Sequence, residues 1–161
     1  MNVKEYNIAV DLYADNIYRF ALKHLKNEMS AKDIVQETFM KVWAKYEEIN
    51  AEKVKSYLFT TAYHTIVDWA KKEKRNVDFE FVDKTLSENA RHEFDLKDIL
   101  DAALDRLPEI QKSVVLLRDH EGYSYEEIAE ITSLSESQVK VYIFRARQSL
   151  KAYLKDQHLV A

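Results

Sequence analysis

Gly122 and Pro108 are the sole glycine and proline in a chain of 161 residues. A β-rich fold needs many tight reversals, and those reversals draw on glycine and proline. A chain this poor in both is expected to be all-α. Hydrophobic residues make up 47% of it, enough to build a core. There is no cysteine. That removes disulfides, thiolate metal sites and cysteine nucleophiles together.

Apolar residues recur at helical spacing through the first half. Tyr6, Val10, Tyr13, Ile17, Phe20, Ala21 and Leu25 mark a helix over about residues 3–26. "NEMS" interrupts it. Ser30 is a reasonable N-cap for the next helix, with Asp33 in its first turn, and that helix is predicted to run to Tyr46. On it Val35, Phe39, Val42 and Tyr46 form the predicted buried stripe. "EEINAEKVK" reads as a loop, and a longer helix spans Val54 to Arg75. From Val77 to Asp95 six acids (Asp78, Glu80, Asp83, Glu88, Glu93 and Asp95) face Lys84 and Arg91, with no sustained stripe. A linker between two helical domains fits this segment. A short helix and a solvated loop within one domain fits it too. Residues 1–76, 77–95 and 96–161 are the resulting parts: two small helical domains joined by an acidic linker. In the third part Pro108 suits the first position of a helix, and Gly122 its end.

The stretch "SYEEIAEITSLSESQVKVYIFRARQSL" holds two capping boxes, Ser124 with Glu127 and Ser135 with Gln138. They predict a short helix over 125–131, a turn, and a second helix over 136–154, which is helix-turn-helix spacing. Val139, Ile143, Ala146 and Leu150 share the buried face of the second helix. Ser137, Val141, Phe144 and Gln148 point the opposite way. Lys140, Arg147 and Lys151 lie on one flank, and Arg145 and Gln138 on the other. Five bases against Glu136 make residues 135–155 basic, in a chain whose net charge is −4. A major groove accepts such a helix, with its flanks on phosphates and its outward face on base edges. A solvated amphipathic helix with i,i+4 charge pairs fits the same pattern.

The second half, "ALDRLPEIQKSVVLLRDHEGYSYEEIAEITSLSESQVKVYIFRARQSLKAYL", resembles region 4 of bacterial sigma factors of the extracytoplasmic-function (ECF) group, within the sigma-70 family. "LYADNIYRFALKHLKNEMSAKDIVQETFMKVW" resembles regions 2.1 and 2.2, and "SYLFTTAYHTIVDWAKKEKR" resembles regions 2.3 and 2.4. The order is the family's own, and the linker alone carries no motif. The resemblance implies a promoter-specificity subunit. Region 2 would dock on core RNA polymerase and melt and read the −10 element, and region 4 would read the −35 element. Core polymerase and promoter DNA are the implied partners, with an anti-sigma factor expected as well. No cofactor, metal, small-molecule substrate or membrane insertion is expected.

Carried onto this chain, the polymerase contact falls at Gln36 and Glu37. Asp33, Met40 and Lys41 share their exposed neighbourhood. The −10 surface falls on Thr60, Tyr63, His64, Val67, Lys71, Lys74 and Arg75, where basic groups beside aromatics suit a melted strand. The −35 surface falls on Ser137, Gln138, Lys140, Val141, Phe144, Arg145, Arg147 and Gln148. Three departures stand out. The family's "ARN" is Ala62-Tyr63-His64 here. Ser137, Val141, Tyr142 and Phe144 stand where the family often has a Gly, a Ser, an Arg and a His. Ser133 replaces the turn glycine.

A stand-alone helix-turn-helix regulator, binding an operator as a dimer, would explain the second half and leave "DIVQETFMKVW" without a job. An enzyme is disfavoured. The five histidines are scattered with no HExxH pairing, and one glycine cannot form a phosphate loop. The N-terminus has charges throughout and no signal-peptide core, and no apolar run approaches the roughly 18 residues of a membrane span. A cytoplasmic protein is the expectation.

Overall fold

The computed structural model describes residues 1–77 and 96–157, with the backbone alone for 75–77. Its described residues form seven α-helices and no strand.

Helix α1 covers Val3–Leu25. The side chain of Asn2 accepts from the Glu5 N–H at 2.8 Å and starts it. Lys26, at φ 55°, ends it in the left-handed region, with its N–H on the carbonyl of Leu22. Helix α2 covers Glu28–Trp43. Its cap is Asn27, not the predicted Ser30. The Asn27 side chain accepts from the Ser30 N–H at 3.0 Å, so Ser30 already sits in the first turn. The helix also stops three residues short of Tyr46. There Lys45 leaves helical geometry, and the Trp43 ring stacks on the Tyr46 ring at 4.6 Å. Two short 3-10 turns, Tyr46–Glu48 and Ala51–Lys53, lead into α3, Val54–Val77. That helix takes one residue from the predicted linker. The rest of the linker, with its six acids, lies outside the described residues.

Helices α1, α2 and α3 pack against one another as a bundle. The buried face of α2 is Ala31, Ile34, Thr38, Phe39 and Val42, while Val35 and Tyr46 are half-buried.

Helix α4 covers Leu96–Asp105, and α5 covers Glu109–Val115. Pro108 is the N-cap of α5, one position earlier than predicted, where its missing N–H costs nothing. Helix α5 continues as a wider π-helical turn, Leu116–His120. Gly122 follows at φ 78°. A Cβ there would meet nothing within 4 Å, so the need for glycine is one of backbone conformation alone. Helix α6, Tyr125–Thr132, and helix α7, Glu136–Asp156, follow. Both predicted capping boxes form, Ser124 with Glu127 and Ser135 with Gln138. Helix α7 packs on α4, α5 and α6.

The two helical domains dock. Ile17, Phe20, Phe59 and Ala62 of the first share a continuous apolar cluster with Leu117, Tyr123, Ile128 and Ile131 of the second. Phe59 lies between the two domains in this contact, with its ring 5.6 Å from Phe20 of its own domain and 5.6 Å from Tyr123 of the other. Helix α3 lies along α6.

Candidate polymerase and nucleic-acid interfaces

Three surfaces gather the residues singled out from sequence. On α2, burial of Ile34, Thr38 and Val42 turns Asp33, Gln36, Glu37, Met40 and Lys41 to solvent. Met40 is 71% exposed among charged neighbours. A flexible, polarizable thioether adapts to irregular partner surfaces, which suits Met40 to a contact face. Lys41 is less free than its neighbours. Its ammonium pairs with Glu37 at 3.3 Å and donates to the Thr65 hydroxyl at 3.0 Å, tying α2 to α3.

On α7, burial of Val139, Ile143 and Ala146 fixes the outward face. Ser137, Gln138, Lys140, Val141, Phe144, Arg145, Arg147 and Gln148 are all exposed. Phe144 is 60% exposed, and Val141 is exposed beside it. This apolar pair sits among cations, which suits thymine methyls flanked by phosphates. Two of the eight have structural duties. Gln138 accepts from the Ser135 N–H and completes the capping box. Arg147 makes two bonds to the Asp119 carboxylate on the π-helical turn. Lys140 pairs with Glu136 at 3.5 Å across one helical turn and lies 5.6 Å from the Tyr125 ring. Tyr142, by contrast, is half-buried and packs against the core.

The face of α3 behaves differently. His64, Lys71 and Lys74 are exposed, but Thr60, Tyr63 and Val67 are half-buried. Burial raises the affinity of the Tyr63 phenol for its proton. The side chain of Arg75 is outside the described residues. Tyr63, Val67, Lys71 and Lys74 form one wall of a cleft of about 290 Å³. Its other wall is Glu109, Ile110 and Ser113 of α5, with His24 of α1 at its end. The second domain therefore stands against the α3 face. The helical wheel gives the direction of that face and carries no information on what stands opposite.

A row of polar contacts holds the two domains along this seam, none of it foreseen from sequence. Lys23 pairs with Asp101, and Lys26 with Asp105. His24 bonds Glu109 at 2.6 Å and Ser113 at 3.2 Å. Lys112, buried at 2% exposure, crosses from α5 to donate to the Lys23 carbonyl at 2.9 Å. Further along, the Glu121 carboxylate accepts from Asn16 at 3.2 Å and lies 3.9 Å from the Lys55 ammonium. The Glu121 side chain is 3% exposed. A carboxylate so buried is stable as a charge only with such partners.

Among the described residues no helix is long and apolar enough to cross a membrane, and no cluster of three acids or histidines could hold a metal ion.

Two family models match the chain. Sigma-70 region 2 matches residues 9–76, and Sigma-70, region 4 matches residues 97–150. The ECF RNA polymerase sigma factor SigM of Bacillus subtilis (strain 168) is 32% identical over 146 residues, covering 88% of this chain and 90% of SigM. The RNA polymerase sigma factor SigV of the same organism is 33% identical over 150 residues, covering 91% and 89%. Among solved structures, the sigma factor RpoE in complex with the anti-sigma factor NepR, from Bartonella quintana, superposes with a TM-score of 0.81 at 27% identity, covering 95% of this chain and 98% of that one.

Proposed function

The chain belongs to the ECF sigma factors of the sigma-70 family, and from that premise we propose how its surfaces divide the work of a promoter-specificity subunit. Residues 1–76 and 96–161 are the two working domains, and 77–95 joins them. The exposed α2 face, Asp33, Gln36, Glu37, Met40 and Lys41, docks on core RNA polymerase. The α3 face, Thr60, Tyr63, His64, Val67, Lys71, Lys74 and Arg75, receives the melted −10 strand, with rings for bases and ammonium groups for phosphates. On α7, Val141 and Phe144 with Ser137 and Gln148 meet base edges at the −35 element. Lys140, Arg145 and Arg147 serve its phosphates, and Gln138 adds a polar contact at the helix start. The work is binding and positioning, with no chemistry of the chain's own, and it takes place in the cytoplasm. An anti-sigma factor holds the chain in reserve, as NepR is found with RpoE.

The observation that carries this division is the exposure of Phe144 and Val141 on a basic helix whose opposite face buries Val139, Ile143 and Ala146. Run-off transcription with core polymerase on promoters from the same genome tests it. The chain should start transcripts at defined sites that core alone does not use. Tight, specific promoter binding by the free chain at physiological salt would point instead to an operator-binding regulator.

A further inference from the structure

A buried cluster on the seam contains a titratable ring that promoter reading does not use. The His24 imidazole is 3% exposed. Its Nδ1–H donates to the Glu109 carboxylate at 2.6 Å, and its Nε2 accepts from the Ser113 hydroxyl at 3.2 Å. Phe20 covers it edge-on at 4.9 Å. Both polar partners belong to α5, so the neutral ring is fully bonded only while the domains are docked.

We propose that the docked arrangement is proton-sensitive and that His24 is its sensor: acid loosens the seam and uncovers the α3 face.

The groups around the ring decide the direction. From α5 come Glu109, which favours a charged imidazole, and the buried Lys112, which opposes it. From α4, Asp105 is already engaged by Lys112 and Lys26. From α3, Tyr63, Lys71 and Lys74 line the same cleft, and Glu109 is the one acid on its walls. On α1 itself, Lys23 and Lys26 flank the ring in sequence. Burial outweighs the Glu109 bond and lowers the affinity of His24 for a second proton. Undocked, the ring would face water and titrate near its ordinary value of about 6.5. The open form therefore takes up a proton that the docked form refuses. The contribution of His24 to docking is fully present above that value. It falls by at most about tenfold per pH unit as acidity rises, down to the docked-state value. The His24 bond holds the Glu109 carboxyl below its ordinary range, so the titration of Glu109 also favours opening in acid and does not counter the effect. The consequence for DNA rests on the assignment of the α3 face; the opening itself does not.

With no native cysteine, Lys32→Cys on α2 and Glu130→Cys on α6 give two unique exposed labelling sites, one per domain. Pulsed dipolar EPR on the spin-labelled full chain should show one short distance well above about pH 6.5 and a growing longer component below it. His24→Gln should abolish that pH response, while His120→Gln, at an exposed position, should keep it. A wild-type distance that does not change with pH, or a His24→Gln response equal to wild type, overturns the proposal. So does a His24 imidazole that titrates at or above the ordinary range in the unlabelled wild-type chain, read by NMR. Transcription by Lys71 and Lys74 variants tests the DNA assignment separately, so the two can fail independently.

Discussion

Lys112 of α5 places its ammonium 2.9 Å from the carbonyl oxygen of Lys23, in the last turn of α1. A helix C-terminus presents unpaired carbonyls and partial negative charge, so a cation there is doubly matched. Asp105 at 3.2 Å completes its pairing. Lys112→Met would keep the apolar stem but leave the Lys23 carbonyl and part of Asp105 unpaired. The expected cost is about 1–3 kcal/mol. A urea titration reads it as a lower midpoint, and the EPR pair above should show more of the long distance at neutral pH.

Ser133 holds φ 60° at the end of α6, with its N–H on the Ala129 carbonyl. A side chain in that region is strained, and glycine relieves the strain. Ser133→Gly should stabilise the chain by about 1 kcal/mol, seen as a melting point raised by about 2–4 °C. An unchanged or lower melting point would mean that the turn gains nothing from glycine.

Phe144→Ala should leave stability within about 0.5 kcal/mol, since the ring is exposed. Upstream base preference should change. A promoter library transcribed by both proteins, with identical −35 preferences, would remove Phe144 from the reading surface.

Lys140 and Arg147 are both basic and exposed, but Asp119 holds Arg147 through two bonds, whereas Lys140 has only the looser Glu136 pair at 3.5 Å. In holoenzyme binding measured across salt concentrations, Lys140→Ala should lower the slope by about 1. Arg147→Ala should lower it less, because its guanidinium must first leave Asp119. Equal slopes would show that the Asp119 pair does not compete.

Gln36→Ala with Glu37→Ala should reduce assembly with core polymerase in a pull-down or by size exclusion. The fold loses only the exposed Glu37–Lys41 pair, worth about 0.3–0.5 kcal/mol. Normal assembly would move the contact elsewhere on α2.

What could be read from sequence was local. Ser124 with Glu127 and Ser135 with Gln138 are bonds three residues long, and both formed. Val139, Ile143 and Ala146 of α7 followed from periodicity alone, while Leu150, predicted on the same face, is only half-buried near the end of the helix. Ser30 failed as a cap for an equally local reason. Lys26 leaves α1 in the left-handed region, which puts Asn27 first in line, and Asn27 caps as well as serine. The seam was illegible because its pairs are far apart in the chain. Lys23 and Asp101 are 78 residues apart, and Asn16 and Glu121 are 105 apart. No periodicity links such residues. Tyr63 shows the same limit: its direction on α3 was readable, but its neighbours across the cleft were not.

Domains joined by a tether are commonly treated as interchangeable parts, and the Lys23, His24, Lys55 and Asn16 contacts argue against that here. Each has its counterpart in the other half, so exchanging one half alone leaves contacts such as Asn16–Glu121 and Lys23–Asp101 unmatched. A chimera that keeps residues 1–95 and takes the remainder from a relative would inherit a working recognition helix but mismatched docking partners. It should still start transcripts, but with its two halves docked less firmly than in the parent chain, so the seam makes the halves a matched pair.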